Sequence, residues 1–258
     1  MHKPVVLITG ASSGIGYELA KLFAADKYSL ILVSRDPDNL QRAQEELKKK
    51  YQAETQIIAT DLSSLEAPTK IFDFIRQKNI KIDVLINDAG FGLVGLFNDL
   101  DEQKQLEMID LNIRALTQLT KLFLNQAALG AKILNVASLA AFQPGPLMTV
   151  YYATKAYVLS FSEALAEELM ERKITVTALC PGPVATNFWQ TARPANKKIL
   201  KSRLMDQLTA DQVARAGYEG LKKGQRIVIP GVLNKSLAFL IRFLPRRSVT
   251  KIVKKINT

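Results

Sequence analysis

The chain has 258 residues, 48% of them apolar, with one cysteine and one histidine, which suits a single large α/β domain with a sizeable core and excludes wholesale disorder. Cys180 alone can form neither an intrachain disulfide nor a multi-cysteine metal site, and His2 at the extreme N-terminus leaves no histidine for a nucleophilic triad or a histidine-bound metal, so no metal is expected. The net charge of +11 is uneven: Leu221 to Thr258 carries ten basic residues and no acidic one, so the rest is close to neutral and offers no extended basic face for nucleic acid.

Short apolar runs alternate with longer helical patterns, which predicts repeated βα units and a doubly wound parallel sheet of about seven strands. Strands are expected near 4–9, 29–34, 55–60, 82–87, 131–137, 174–180 and 226–229, and helices near 14–26, 37–52, 64–78, 101–127, 151–172 and 209–223. Residues 1–230 would form the catalytic domain and 231–258 a basic, amphipathic extension. No apolar run suits a signal peptide or a membrane span, and a cytoplasmic protein is expected.

The first strand, Val5-Val6-Leu7-Ile8-Thr9, runs into Gly10-Ala11-Ser12-Ser13-Gly14-Ile15-Gly16 and then a helix. Glycines at such a turn let the backbone approach a pyrophosphate at the helix N-terminus, so Gly10, Ser12, Ser13, Gly14, Ile15 and Gly16 are cofactor-binding candidates. The same residues fit the G-x-S-x-G nucleophile elbow, but no histidine follows Ser12 and the hydrolase reading fails. The second strand ends at Ser34-Arg35. A small residue and an arginine there favour a ribose 2′-phosphate, hence NADP(H), where an acid would select the free hydroxyl.

Asp61-Leu62 follows the third strand and Asn87-Asp88-Ala89-Gly90 ends the fourth. Asn112 lies in the following long helix. Ser138 stands at the carboxyl end of the fifth strand, where ligands bind in open parallel sheets. Thirteen residues later, Tyr151 and Lys155 are four apart and share a helix face, whereas Tyr152 points elsewhere and Tyr157 has no lysine at that offset. A lysine cation four residues away, together with the positive nicotinamide of an oxidised cofactor, is expected to favour phenolate and lower the phenol's pKa. Pro181, Gly182, Val184 and Thr186 follow the sixth strand, and Cys180 reads as a packing thiol.

The T-G-x-x-x-G-x-G turn, the N-D-A-G segment, Asn112, Ser138, the Y-x-x-x-K pair and the P-G segment stand in one order. Together they resemble the classical short-chain dehydrogenase/reductase family over about residues 4–230, with Asp88 replacing the family's second Asn. The resemblance implies a Rossmann-type fold and an oxidoreductase moving hydride between nicotinamide and a carbonyl or alcohol. It assigns proton transfer to Tyr151, a hydrogen bond to the substrate oxygen to Ser138, ribose binding to Lys155 and a relay water to Asn112. Cofactor contacts would come from Asp61, Leu62, Asn87, Ala89, Gly90, Pro181, Gly182, Val184 and Thr186, besides the glycine turn. A homodimer or homotetramer through the helices near 101–127 and 151–172 is implied as well. A catalytically silent dinucleotide-binding scaffold is the alternative.

Phe91, Leu93, Leu96, Leu139, Phe142, Leu147, Phe188 and Trp189 fall by this resemblance around the substrate mouth, which favours a lipophilic ketone or aldehyde unless several of them are core. The irregular stretch 187–206 reads as a loop or lid. In the tail, Val249, Ile252, Val253 and Ile256 recur at helical spacing among lysines and arginines. An anionic membrane surface, a lid over the mouth and an oligomer contact all fit that pattern.

Overall fold

A computed structural model describes residues 3–184, 188 and 208–257. Seven strands, β1 (Val5–Thr9), β2 (Ser29–Ser34), β3 (Thr55–Ala59), β4 (Val84–Asn87), β5 (Lys132–Val136), β6 (Thr175–Leu179) and β7 (Ile227–Val228), form one sheet in the order β3-β2-β1-β4-β5-β6-β7. Every neighbouring pair is parallel. The order reverses between β1, which continues to β2, and β4, which continues to β5, and a crevice at the carboxyl ends opens there.

Because each strand alternates its side chains, successive residues feed two different cores. Val6 and Ile8 of β1 pack with Leu19 and Phe23 of α1 (Gly14–Ala25), Leu40 and Leu47 of α2 (Pro37–Tyr51) and Val213 and Leu221 of α7 (Ala210–Lys222). Leu7, between them, packs on the other face with Ile71 and Ile75 of α3 (Ala67–Gln77) and Leu119 and Phe123 of α5 (Leu116–Leu124). Burial on both faces makes the strands continuous apolar runs.

Local chemistry fixes the boundaries. Asp36 caps α2 by accepting from Asn39 N at 3.0 Å, with Pro37 at the first helical position. Thr209 and Gln212 form a reciprocal capping box on α7. The helix expected over 101–127 is interrupted: α4 (Glu102–Ile109) and α5 flank a π-helical segment, Asp110–Ala115. Such a bulge commonly marks a functional position, and Asn112 lies inside it.

After β7 come α8 (Val232–Leu240) and α9 (Arg246–Asn257), separated by a short 3₁₀ turn and Pro245. Val249, Val253 and Asn257 are buried, and the Asn257 amide donates to Pro146 O at 2.9 Å. The α9 stripe is therefore partly spent on packing against the protein, with Ile252 and Ile256 left exposed. Among the described residues, no helix is long and apolar enough to cross a membrane.

Candidate active site

A cleft of about 900 Å³ runs across the carboxyl ends of the strands. It begins at the glycine turn, where Gly10 and Gly14 have φ of +69° and +59°. A side chain on Gly10 would meet Asp88 Oδ2 at 2.9 Å, and one on Gly16 would meet Gly10 O at 2.6 Å, so the turn can close only with glycine at both. Ser13, the N-cap of α1, makes no capping hydrogen bond through its side chain, and the first turn of α1 carries no acid. The helix thus keeps donors for an anion, the arrangement a pyrophosphate needs. Gly10, Ser12, Ser13, Gly14 and Ile15 line the cleft. Gly16 stands behind it, its N–H donating to the Asp88 carboxylate.

At the far end of this half, Ser34 and Arg35 line the cleft, and Ser34 Oγ lies 2.8 Å from Ser12 Oγ. Asp61 and Leu62 line it too. Burial alone would raise the Asp61 pKa, but the Ser63 N–H and hydroxyl, at 2.9 and 2.7 Å, bring it below the usual carboxylate range, helped by the charges of Arg35 and Lys104. Lys104, paired with Glu107 at 2.6 Å, also lines the cleft and was not anticipated.

The N-D-A-G segment divides. Asp88, Ala89 and Gly90 line the cleft, with the Asp88 and Ala89 N–H groups both donating to Thr9 Oγ1 at 3.1 Å. Asn87, expected among the cofactor residues, instead turns into the core. Its amide donates to Asn135 Oδ1 at 2.9 Å and Thr120 Oγ1 at 3.2 Å, because β4 and β5 place Asn87 and Asn135 side by side. Desolvation pushes the Asp88 carboxyl up to about 7, against the opposing pull of Lys155 and the Gly16 N–H.

Ser138, Tyr151 and Lys155 converge deeper in the cleft. Ser138 follows β5 by two residues and favours the charged form of the Tyr151 phenol. Tyr151 and Lys155 sit one turn apart on α6 (Thr149–Glu168). Lys155 Nζ donates to Val136 O at 2.8 Å and lies 5.9 Å from the Tyr151 ring centroid. Desolvation draws the Lys155 pKa down to about 8, with Asp88 working against it. Burial pushes the Tyr151 phenol up to about 12, with Ser138 working against it.

Asn112 is buried beneath this group and does not line the cleft. Its amide donates to Phe91 O and Thr154 Oγ1, both at 3.0 Å, and its oxygen accepts from Phe91 N at 3.2 Å. With both amide hydrogens engaged, the side chain ties the Gly90–Phe91 loop to α6 and does not offer a donor to a relay water.

Of the expected mouth residues, Phe91, Leu93, Leu139 and Phe188 line the cleft. Phe142 packs instead with the core cluster around Val158 and Ala178, Leu96 is exposed, and Leu147 serves a left-handed turn (φ +68°). Gly92 lets the Phe188 and Tyr151 rings lie 5.3 Å apart. Met148, Tyr152, Gln143, Ile256 and Asn257 join them unanticipated, the tail closing one side of the mouth. Pro181, Gly182 and Val184 line the cleft as well, whereas Thr186, Trp189 and most of 187–206 lie outside the described residues. Cys180 is buried and pushed up to about 12 by desolvation, a packing thiol. Among the described residues no cluster could hold a metal ion.

A Rossmann-type sheet with a Ser-Tyr-Lys group at its crevice defines the class, an oxidoreductase working between an alcohol and a carbonyl. The family model for short chain dehydrogenase matches residues 4–197, and the chain belongs to that family. It is 30% identical to the very-long-chain 3-oxoacyl-CoA reductase of Anas platyrhynchos over 97% of this chain and 79% of that one. Among solved structures, a short-chain dehydrogenase from Sphingobium yanoikuyae in complex with NADPH superimposes with a TM-score of 0.79 at 28% identity, covering 94% of this chain and 97% of that one. The bulky-bulky ketone specific alcohol dehydrogenase of Comamonas testosteroni gives 0.77 at 26% identity, covering 95% and 96%.

Proposed function

We propose that this protein is an NADP(H)-dependent reductase of lipophilic ketones or aldehydes, with Tyr151 as its proton donor. The observation that carries the reading is the convergence of Ser138, Tyr151 and Lys155 in the cleft that starts at the glycine turn.

The residues present fit a dinucleotide. Gly10, Ser12, Ser13, Gly14, Ile15 and the open N-terminus of α1 would hold the pyrophosphate. Asp61, Leu62, Ala89 and Gly90 would flank the adenosine half, and Pro181, Gly182 and Val184 the nicotinamide half. Arg35 supplies the charge for a 2′-phosphate, with Lys104 a second cation nearby, and no acid follows Ser34 directly to claim a free hydroxyl. When bound, the nicotinamide supplies the hydride.

The chain's own residues manage the proton. At neutral pH Tyr151 carries its proton, since burial holds it well above neutrality, and can deliver it to a carbonyl oxygen as that oxygen gains charge. Ser138 can donate a second hydrogen bond to the same oxygen. Lys155, held by Val136 O, places a cation beside that phenolate. Asn112 is a positioning residue that fixes the Gly90–Phe91 loop.

Substrate class follows from the lining. Phe91, Leu93, Leu139, Met148, Phe188 and Ile256 present apolar surface, with Gln143, Tyr152 and Asn257 as isolated polar groups, the composition of a site for a large, mainly apolar carbonyl. Exposed Leu106 and Ile109 on α4 and Tyr157 on α6 offer an apolar face for a homodimer or tetramer. A silent scaffold would have no need of a buried phenol paired with serine. The test is oxidation of NADPH and NADH by the purified chain with bulky apolar ketones and fatty aldehydes. Turnover with NADPH and a bulky ketone is expected. No turnover across the panel despite NADPH binding would favour the scaffold.

A further inference from the structure

Among the described residues, half of the large apolar side chains left exposed fall between Val232 and Ile256. Helix α8 buries Asn234 and Ala238 against the protein and turns Val232, Leu233, Phe239 and Leu240 outward, at 83%, 40%, 59% and 55% exposure. Phe243 and Leu244 continue the patch, at 71% and 46% exposure, and the rings of Phe239 and Phe243 pack on each other with centroids 5.2 Å apart. A contiguous face of this kind is unusual on a protein that stays in water.

Its charge selects the occupant. Lys235, Arg242, Arg246, Arg247, Lys251, Lys254 and Lys255 are all exposed around it, and no acidic residue occurs anywhere from Leu221 onward. A second copy docking face to face would set these cations against their own equivalents with no acidic side chain of the segment between them. An anionic bilayer satisfies both halves of the surface: acyl chains and glycerol backbones take the apolar ridge, and lipid phosphates take the rim.

We propose that the outer face of α8 and the turn to Leu244, rimmed by the basic side chains of α9, docks this protein on an anionic membrane surface without crossing it. Of the Val249/Ile252/Val253/Ile256 stripe in the sequence pattern, Val249 and Val253 pack inward, so the inserting ridge is built mainly by α8 and the turn to Leu244. The far end of α9, at Ile256 and Asn257, lines the catalytic cleft, so the docked face adjoins the mouth.

Cosedimentation of the full chain with vesicles of phosphatidylcholine, alone or mixed with phosphatidylglycerol, tests the proposal. Binding to the anionic vesicles should exceed binding to neutral ones by at least about tenfold at low salt and weaken as salt rises. Arg246→Gln/Arg247→Gln should weaken anionic binding by about 10- to 30-fold, since each basic side chain near such a surface contributes about fivefold. Phe239→Ser/Phe243→Ser should remove the part that resists salt. These side chains are exposed, so both variants should match the wild type by circular dichroism; were the Phe pair to unfold the chain, the Arg pair still decides. Absence of wild-type binding to anionic vesicles, or wild-type binding by the Arg pair, would overturn the proposal. So would sedimentation velocity showing a self-associated wild type that Phe239→Ser/Phe243→Ser splits while vesicles bind neither, for the face would then join copies of the chain.

Discussion

Replacing Asp88 by Asn should stabilise this protein, and do so only above mildly acidic pH. The Asp88 carboxyl is pushed from its ordinary 3.8 to about 7, first by desolvation, with Lys155 and the Gly16 N–H opposing. A folded chain that holds a proton the unfolded chain releases loses stability as pH climbs from about 4 to about 7, and the full cost persists above that. A rise of that size corresponds to a ceiling of about 4 kcal/mol. The amide keeps the shape and an acceptor for the Gly16 N–H while removing the charge. That ceiling is already net of the Lys155 attraction, so the gain at pH 8 is up to about 4 kcal/mol, or about 8–15 °C in melting temperature for a chain of this size. At pH 4.5 the carboxyl cost falls to about 1 kcal/mol, and the advantage should shrink with it. Melts of wild type and Asp88→Asn at pH 4.5 and pH 8 measure the difference directly. An equal gain at both pH values, or none at pH 8, would show that Asp88 is not held as a destabilised charge.

Arg35→Ala should weaken NADPH binding by about 10- to 100-fold, the range for losing a charge-assisted hydrogen bond, and leave NADH unchanged; paired fluorescence titrations decide it. Asn112→Ala strips partners from Phe91 N, Phe91 O and Thr154 Oγ1, and should cost about 2–4 kcal/mol in urea unfolding. A loss under about 0.5 kcal/mol would show that the loop does not depend on it. Gly16→Ala drives a methyl to within 2.6 Å of Gly10 O. It should impair cofactor titration more than any alanine introduced on an exposed face of α1.

The architecture was legible because strands buried on both faces are written as unbroken apolar runs, and because caps such as Asp36 and Thr209 sit where the helical pattern begins. The site was legible to the extent that it hangs on element ends: Ser138 comes two residues after β5 and Tyr151 lies in the first turn of α6. Resolution failed at the single-residue level. Nothing in Asn87-Asp88 says which member faces the cleft, although a second polar residue in an apolar strand, Asn135, was a usable sign that Asn87 has a partner inside. The interruption at Asp110–Ala115 leaves the apolar spacing of the helix almost unchanged, so the pattern reads straight through it. Lys104, Gln143 and Asn257 reach the cleft from separate parts of the chain, and no local pattern marks them. The fate of the tail stripe was equally hidden, since an amphipathic period fixes which side is apolar but not what covers it.

The central claim is that Tyr151 delivers the proton. Its most direct test is single-turnover oxidation of bound NADPH by a bulky ketone in wild type, Tyr151→Phe and Tyr152→Phe. Tyr151→Phe should bind NADPH normally yet oxidise it at least about 100-fold more slowly, the usual contribution of a general acid, and Tyr152→Phe should keep a rate within a few-fold of wild type. A Tyr151→Phe enzyme as fast as wild type, or a Tyr152→Phe enzyme that is the slow one, would contradict the account.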